Sequence, residues 1–127
     1  MHRRNRAMAL AAALGLLAIG ARGAAADEVR ILSGEEILSM IIGNTVDGQM
    51  GTTFTEYYRN DGVIKGMSGE GRYDGHWYIK DDMLCFEYDQ PFGCRKIGLF
   101  GDSVSFITET GETDGTGRLL ADNPDNL

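Results

Sequence analysis

The sequence predicts a mostly β, α+β domain, in which a short N-terminal helix packs on a curved antiparallel meander of seven or eight strands, like a half-open barrel. Three observations support this prediction. Apolar residues recur with helical spacing in one short stretch, the chain after it alternates with a period of two, and Gly-rich turns separate the alternating runs. No segment is long enough for parallel crossovers, which favours antiparallel pairing.

The chain begins with a segment typical of a secretory signal peptide. Arg3, Arg4 and Arg6 make its start positive, an apolar or small-residue run covers residues 7–20, and three alanines end at Ala26. The run has 14 residues, fewer than the roughly 18 that span a bilayer. We therefore expect Sec-type export, cleavage after Ala26, and a periplasmic or secreted product that is not inserted in a membrane.

Removal of residues 1–26 leaves residues 27–127, a length suited to a single domain. This segment contains nineteen acidic and eight basic residues, a net charge of −11. Such a charge repels phosphate backbones and anionic lipid heads, so it argues against nucleic acid and membrane surfaces as partners and favours cations and basic proteins. Residues 121–127 carry little apolar surface, and we expect this tail to be loose.

One helix is predicted from Gly34 to Ile42. Ser33 and Glu36 have the spacing of a capping box, in which each side chain bonds the backbone N–H of the other residue. Gly43 follows where a left-handed C-cap residue belongs. A helix this short does not persist alone, so its apolar stripe must lie against the sheet. The stripe consists of Ile37, Leu38, Ile41 and Ile42.

The strands begin at Thr45. Alternation within residues 73–80 places two sets of side chains on opposite faces of one strand. Gly75 interrupts this run, and we interpret it as a bulge or bend. Turn dipeptides are predicted to separate the strands. The inward set is Tyr73, Trp77 and Ile79, the outward set is Asp74, His76, Tyr78 and Lys80, and the turns are Asp47-Gly48, Asp61-Gly62 and Gly101-Asp102.

Cys85 and Cys94 are the two cysteines of the chain. An even count in an exported protein predicts a disulfide, because the compartment outside the inner membrane is oxidising. If the two face each other across a hairpin, the bond locks the strand register. A slip of one residue would otherwise move every side chain of the strand to the opposite face. Residues 89–93 would then form the loop, with Phe92 exposed at its tip.

A set of short motifs runs in order along the mature chain. They are Gly43-Asn44-Thr45, Tyr57-x-x-Asn60-Asp61-Gly62, Gly75-x-Trp77, Cys85-Phe86-x-Tyr88, Cys94, Gly115-x-Gly117 and Asn123-Pro124. In this order they resemble a family of small secreted bacterial proteins of unknown function. The resemblance covers nearly the whole mature chain. It supports the architecture and implies no catalytic residues.

We expect no catalytic residue, cofactor or metal site. His76 is the only histidine after Ala26, whereas zinc needs three or four nitrogen or sulfur ligands. No serine lies in a Gly-x-Ser-x-Gly elbow. Two alternatives stay open. One is a small carboxylate-dependent hydrolase, which needs two acids in a cleft; the other is weak calcium binding at Asp81-Asp82 or residues 109–114, although neither has EF-hand spacing.

The sequence favours a non-enzymatic cell-envelope binding or interaction module with an unknown partner. Exposed aromatic side chains on a stiff acidic sheet would anchor such a partner. The predicted interaction surface consists of Tyr78, Phe92, His76, Ser68, Gly69 and Tyr73.

The segment from Ser68 to Tyr73 is similar to the Ser-Gly-x-x-Tyr loop of periplasmic lysozyme inhibitors, with one residue more before the tyrosine. Lysozymes are commonly cationic, so the negative charge of this chain would speed the encounter. The resemblance implies inhibition of a cationic cell-wall hydrolase such as lysozyme as an alternative function. Three structural arrangements would discriminate between these functions. An outward aromatic cluster around Tyr78 and Phe92 favours binding to a partner. A paired-acid cleft favours catalysis, and an apolar barrel mouth favours a small ligand.

Overall fold

A computed structural model describes residues 28–127. The signal peptide predicted for residues 1–26, with its cleavage after Ala26, lies outside the described residues. The described chain forms one short helix and nine strands. The elements are β1 (Arg30–Ile31), α1 (Gly34–Met40), β2 (Thr45–Met50), β3 (Thr52–Tyr58), β4 (Val63–Ser68), β5 (Gly71–Lys80), β6 (Met83–Glu87), β7 (Pro91–Phe100), β8 (Ser103–Ile107) and β9 (Thr113–Leu120).

Eight strands close into an antiparallel up-and-down barrel. Each strand from β2 to β9 pairs with its neighbour in sequence, and β9 returns to pair with β2. The predicted fold class is confirmed, and the sheet that we expected to be half open closes completely. Closure pairs the first and last strands of the meander, so neither is left as an edge. β1 adds two residues beside β7.

The helix closes one end of this barrel. The predicted capping box is confirmed, since Ser33 Oγ accepts from Glu36 N–H at 3.2 Å and Glu36 Oε1 accepts from Ser33 N–H at 2.9 Å. Ile37 and Ile41 are buried in the core with side chains from the strands. The Gly34 N–H donates to Asp82 Oδ1 at 2.8 Å, in the turn between β5 and β6. α1 therefore covers the barrel end that carries this turn.

The helix differs from its prediction in two details. It ends at Met40, with Ile41 as C-cap, and Gly43 has the expected positive φ of 89°. Leu38 does not belong to the buried stripe, because its side chain is 47% exposed. The Ile37 side of the helix faces the core, and this orientation leaves the Leu38 side in solvent. With seven residues, α1 is also too short to cross a membrane, and the described chain contains no longer helix.

Two glycines that were expected in turns or bends lie inside continuous strands. Asp47-Gly48 is part of β2 and Gly75 is part of β5, both without a register shift. Both face the barrel interior, where a Cβ on Gly48 would lie 2.9 Å from the Phe54 ring and one on Gly75 would lie 2.6 Å from the Tyr88 ring. These predictions were wrong because each glycine makes room for an aromatic ring. The turns at Asp61-Gly62 and Gly101-Asp102 are as predicted.

Residues 121–127, expected to be loose, are hydrogen-bonded to the helix end of the barrel. The Asp122 carbonyl accepts from Thr45 Oγ1 at 2.7 Å, and the Asp122 N–H donates to Asn44 Oδ1 at 2.9 Å. Asn123 exchanges two hydrogen bonds of 2.9 Å with the backbone of Leu127. Polar groups, and not apolar side chains, hold this segment on the barrel. Its low apolar content therefore did not predict that it is attached.

The predicted disulfide is confirmed. Cys85 and Cys94 lie directly opposite each other in the pairing of β6 with β7, and they are covalently bonded. Leu84, Phe86 and Ile97 occupy the opposite, inner face and are buried in the core, as the alternation predicted. The bond therefore links two neighbouring strands on the face opposite these side chains, and Cys85 is itself fully buried there.

The disulfide should contribute measurably to stability. The two cysteines are 9 residues apart, and closing a loop of about 10 residues restricts the unfolded chain by about 2–3 kcal/mol. Urea denaturation of the wild type in dithiothreitol should show a loss of this size in the free energy of unfolding. A Cys85→Ala/Cys94→Ala variant is the control and should not respond to dithiothreitol. Two free thiols in the exported native protein would contradict the bond.

Candidate functional site

The barrel end opposite α1 opens into a cavity of about 890 Å³. Ligand sites for small molecules have volumes of roughly 300–1,000 Å³, and barrels of eight strands can hold one such ligand. The turns that follow β2, β4 and β6 form the rim. The lining is apolar at Met50, Phe54, Phe86, Pro91, Phe92 and Phe106, and polar at Thr52, Glu56, Ser68, Arg72, Tyr73, Asp74, Tyr88, Asp89 and Gln90.

A carboxylate lies in the interior below this cavity. Glu56 is on β3 and is only 5% exposed. The hydroxyl of Tyr58 donates to its Oε1 at 2.8 Å, and those of Tyr73 and Tyr88 both donate to its Oε2 at 2.7 Å. Both carboxylate oxygens act as acceptors, the role of an ionised group, and hydrogen bonds to an ionised acceptor are the stronger kind. We call Glu56 and these three tyrosines the carboxylate–tyrosine cluster.

Strand register assembles the cluster. Glu56 pairs with Gly66 on β4, and Gly66 pairs with Tyr73 on β5, so the three residues form one row across the barrel wall. A Cβ on Gly66 would lie 2.3 Å from the Tyr73 ring. Glycine therefore lets this ring lie across β4 and reach Glu56, and Gly75 gives the same room to Tyr88.

The cluster fixes the protonation of its donors. Burial is the largest cause that raises the pKa values of Tyr58, Tyr73 and Tyr88 above the ordinary value of about 10, and the negative charge of Glu56 is the second. The three hydroxyls therefore keep their protons, and remain donors, throughout the physiological pH range.

Phe92 forms one wall of the cavity mouth. Its ring meets those of Phe86 and Tyr88 edge-on, with centroid separations of 5.9 and 6.1 Å. The Arg95 guanidinium lies 4.8 Å from the centroid of the Phe92 ring and donates to both carboxylate oxygens of Asp114. These hydrogen bonds from Arg95 hold the pKa of Asp114 below its ordinary value. Phe92 is thus on β7 and anchored in the mouth, not at the tip of the loop, although 43% of it is exposed.

The six residues predicted to form one interaction surface lie on two sides of the barrel wall. Alternation assigned the outer face of β5 correctly, but the curvature of the closed wall separates that face from the mouth. Tyr78 and Phe92 therefore form no common outward cluster. The outer residues are Tyr78 and His76, the cavity residues are Ser68, Tyr73 and Phe92, and Gly69 lies in the turn between β4 and β5.

Of the carboxylate–tyrosine cluster, sequence analysis singled out Tyr73 and not Glu56, Tyr58 or Tyr88. Glu56 sits between Phe54 and Tyr58 on the inward face of β3, and this alternation was the available signal. A charged residue on an otherwise aromatic face has to be paired or hydrogen-bonded if that face is buried. Tyr88 and its hydrogen bond to Glu56 had no local signal, because the two residues are 32 positions apart.

The acidic residues of the described chain differ in burial. Glu56 is the one acid among residues 28–127 that is buried. No group of three His, Cys, Asp or Glu side chains in this range is placed to hold a metal ion. Asp82, in one of the calcium candidates, accepts the helix N-terminal N–H of Gly34.

The segment with the lysozyme-inhibitor resemblance forms the turn between β4 and β5 at the rim of the cavity. Its last residue, Tyr73, directs its hydroxyl inward to Glu56. Comparisons of the chain with protein-family models, with curated proteins and with solved structures find no match. Both family resemblances therefore stay predictions.

Gly66→Ala should disrupt the cluster, since the added Cβ would overlap the Tyr73 ring and force it away from Glu56. Overpacking of this kind costs about 1–3 kcal/mol of unfolding free energy, measurable by urea denaturation. Gly69→Ala is the matched control: nothing lies within 4 Å of its added Cβ, and exposed substitutions usually change stability by less than about 0.5 kcal/mol. Equal stability of the two variants would contradict this account.

The raised tyrosine pKa values also predict alkaline sensitivity. Above about pH 10 the tyrosines of the unfolded chain lose protons that Tyr58, Tyr73 and Tyr88 retain in the folded protein. The folded state then binds more protons than the unfolded state, so the free energy of unfolding falls as pH rises above about 10. Below that pH the stabilisation by these groups is fully present.

Urea midpoints should therefore fall steeply above about pH 10. Phenolate absorbance from three of the five tyrosines should appear only as the protein unfolds. Tyr88→Phe removes one of these groups and should make the fall less steep. A slope unchanged by this substitution would speak against the assignment.

Proposed function

We propose that this protein is a non-enzymatic binding protein of the cell envelope whose barrel holds one small molecule. The observation that supports this most directly is the cavity of about 890 Å³ at the open end of the barrel, opposite the end that α1 covers. Its wall combines six apolar side chains and the rings of two tyrosines with polar groups. Small-molecule sites in proteins have this volume and combine apolar and aromatic side chains with a few orienting polar groups.

The chemistry of the carboxylate–tyrosine cluster favours binding over catalysis. A general acid or base works best when its pKa lies near the operating pH, whereas burial and Glu56 raise the pKa values of Tyr73 and Tyr88 away from that range. Glycoside hydrolysis needs two carboxyl groups at a defined separation. Three acids line the cavity, of which Glu56 is buried among three tyrosine hydroxyls, Asp74 is paired with Lys65, and Asp89 is exposed at the rim. The cluster is thus suited to orient and pair with a ligand.

The disulfide supports the envelope location. Disulfides persist in oxidising compartments such as the periplasm and the extracellular space, and Cys85 and Cys94 are bonded in this fold. Together with the signal peptide predicted for residues 1–26, this supports a protein that binds its ligand outside the inner membrane.

Blocking the mouth should abolish ligand capture. Thr52 and Thr53 are neighbouring exposed residues of β3, but Thr52 lines the cavity and Thr53 faces away from it. N-phenyl-1-naphthylamine, an apolar probe that is neutral at pH 7 and fluoresces in apolar surroundings, should bind the wild type. Thr52→Trp should weaken this binding at least about tenfold, a difference of about 1.4 kcal/mol.

The matched control is Thr53→Trp, which adds the same ring on the outer face and should bind the probe like the wild type. Equal binding by the two variants would place the probe outside the barrel. Failure of the wild type to bind the probe would overturn the proposed function.

A further inference from the structure

We infer that the ligand is an organic cation, a protonated amine carried on an apolar or aromatic body, with Glu56 as the group that receives its N–H. This inference rests on the proposed function and narrows it to one chemical class of ligand.

The first support is the remaining capacity of the carboxylate. An ionised carboxylate offers about four acceptor sites on its two oxygens. Oε2 of Glu56 accepts from Tyr73 and Tyr88, whereas Oε1 accepts from Tyr58 alone. The carboxylate therefore accepts three of about four possible hydrogen bonds, and Glu56 belongs to the residues that line the cavity, as do Tyr73 and Tyr88. A ligand N–H from the cavity would add to this set or take the place of one tyrosine hydroxyl.

The second support is the charge of the cluster. Buried charges in proteins are normally paired with an opposite charge. The ion pairs formed among residues 28–127 do not include Glu56, whose partners there are three neutral hydroxyls. Arg72 is the basic residue of the cavity lining. It is exposed, and among residues 28–127 it makes no hydrogen bond to Glu56. An ammonium group would supply the missing positive charge.

The third support is the aromatic wall. The faces of aromatic rings carry negative partial charge, and they attract ammonium groups within about 6 Å of the ring centre. Phe86 and Tyr88 stack with an interplanar angle of 10°, and Tyr73 meets Tyr88 edge-on at 5.9 Å. The same rings offer apolar surface to the body of the ligand. A wall of this kind next to a carboxylate suits a cation with an apolar part.

Charge at the rim of the cavity also favours a cationic ligand. Asp74 and Asp89 line the mouth with the base Arg72, and Asp74 is paired with Lys65, whose Nζ lies 3.0 Å from its Oδ1. Asp89 and Glu56 would therefore repel an anionic ligand and attract a cation. A neutral ligand would gain the aromatic contacts and lose the interaction with Glu56.

The test compares three probes that share one aromatic ring system and differ in the charge of the head group. Tryptamine is cationic at pH 7, tryptophol is neutral and indole-3-acetate is anionic. Isothermal titration calorimetry on the mature wild type should show tryptamine binding at least about tenfold tighter than tryptophol, and indole-3-acetate binding most weakly.

Glu56→Gln keeps the size of the side chain and removes its charge, so the preference for tryptamine over tryptophol should disappear in this variant. Retained binding of N-phenyl-1-naphthylamine would show that its cavity is intact. Asp47→Asn is the matched control, because it removes one negative charge from an exposed side chain of β2 that does not line the cavity. This control should keep the preference.

The outcomes separate the two proposals. Wild-type protein that binds N-phenyl-1-naphthylamine but shows no preference for tryptamine would overturn the cation inference and leave the proposed function standing. Wild-type protein that does not bind N-phenyl-1-naphthylamine would overturn the proposed function and, with it, the inference that rests on it. If Glu56→Gln does not fold, the head-group series on the wild type still decides.

Discussion

The barrel interior depends on one buried carboxylate and the three hydroxyls that donate to it. A charge in an apolar interior costs less when its oxygens are hydrogen-bonded, so these three hydroxyls stabilise the buried carboxylate. Glu56 and Tyr58 lie on β3, Tyr73 lies on β5 and Tyr88 follows β6. The cluster thus ties distant parts of the wall together, and the close approach of two rings to the wall explains glycines inside the strands.

This cluster also divides the barrel into two functional halves. On one side of it, α1 and the strand residues around it fill the interior with buried aliphatic side chains. On the other side, aromatic and polar wall residues leave a cavity, because the interior of an eight-stranded barrel can exceed the volume of the side chains that face it. The packed half supplies stability, and the open half is free to accept a ligand above a fixed negative charge.

Interactions that stabilise the fold also fix the geometry of the cavity mouth. The disulfide between Cys85 and Cys94 joins the two strands whose connection carries Tyr88, and Phe92 lies at the start of the second strand. Arg95 covers the Phe92 ring and is itself held by an acid of β9. A covalent bond, a cation–π contact and an ion pair therefore restrain the same rim, so the cavity is largely formed before a ligand enters, which lowers the cost of binding.

Short-range patterns in the sequence determined the start and cap of the helix, the disulfide pair and the two faces of β5, because a capping box, a cysteine count and a period of two are properties of a few consecutive residues. They did not identify Gly48 and Gly75, since a glycine that makes room for a ring looks the same in sequence as one that makes a turn. Only the tertiary structure decided that β9 closes on β2, that Phe92 turns into the mouth and that Tyr88 reaches Glu56. Each of these depends on the register between strands that are far apart along the chain, and no local pattern specifies such a register.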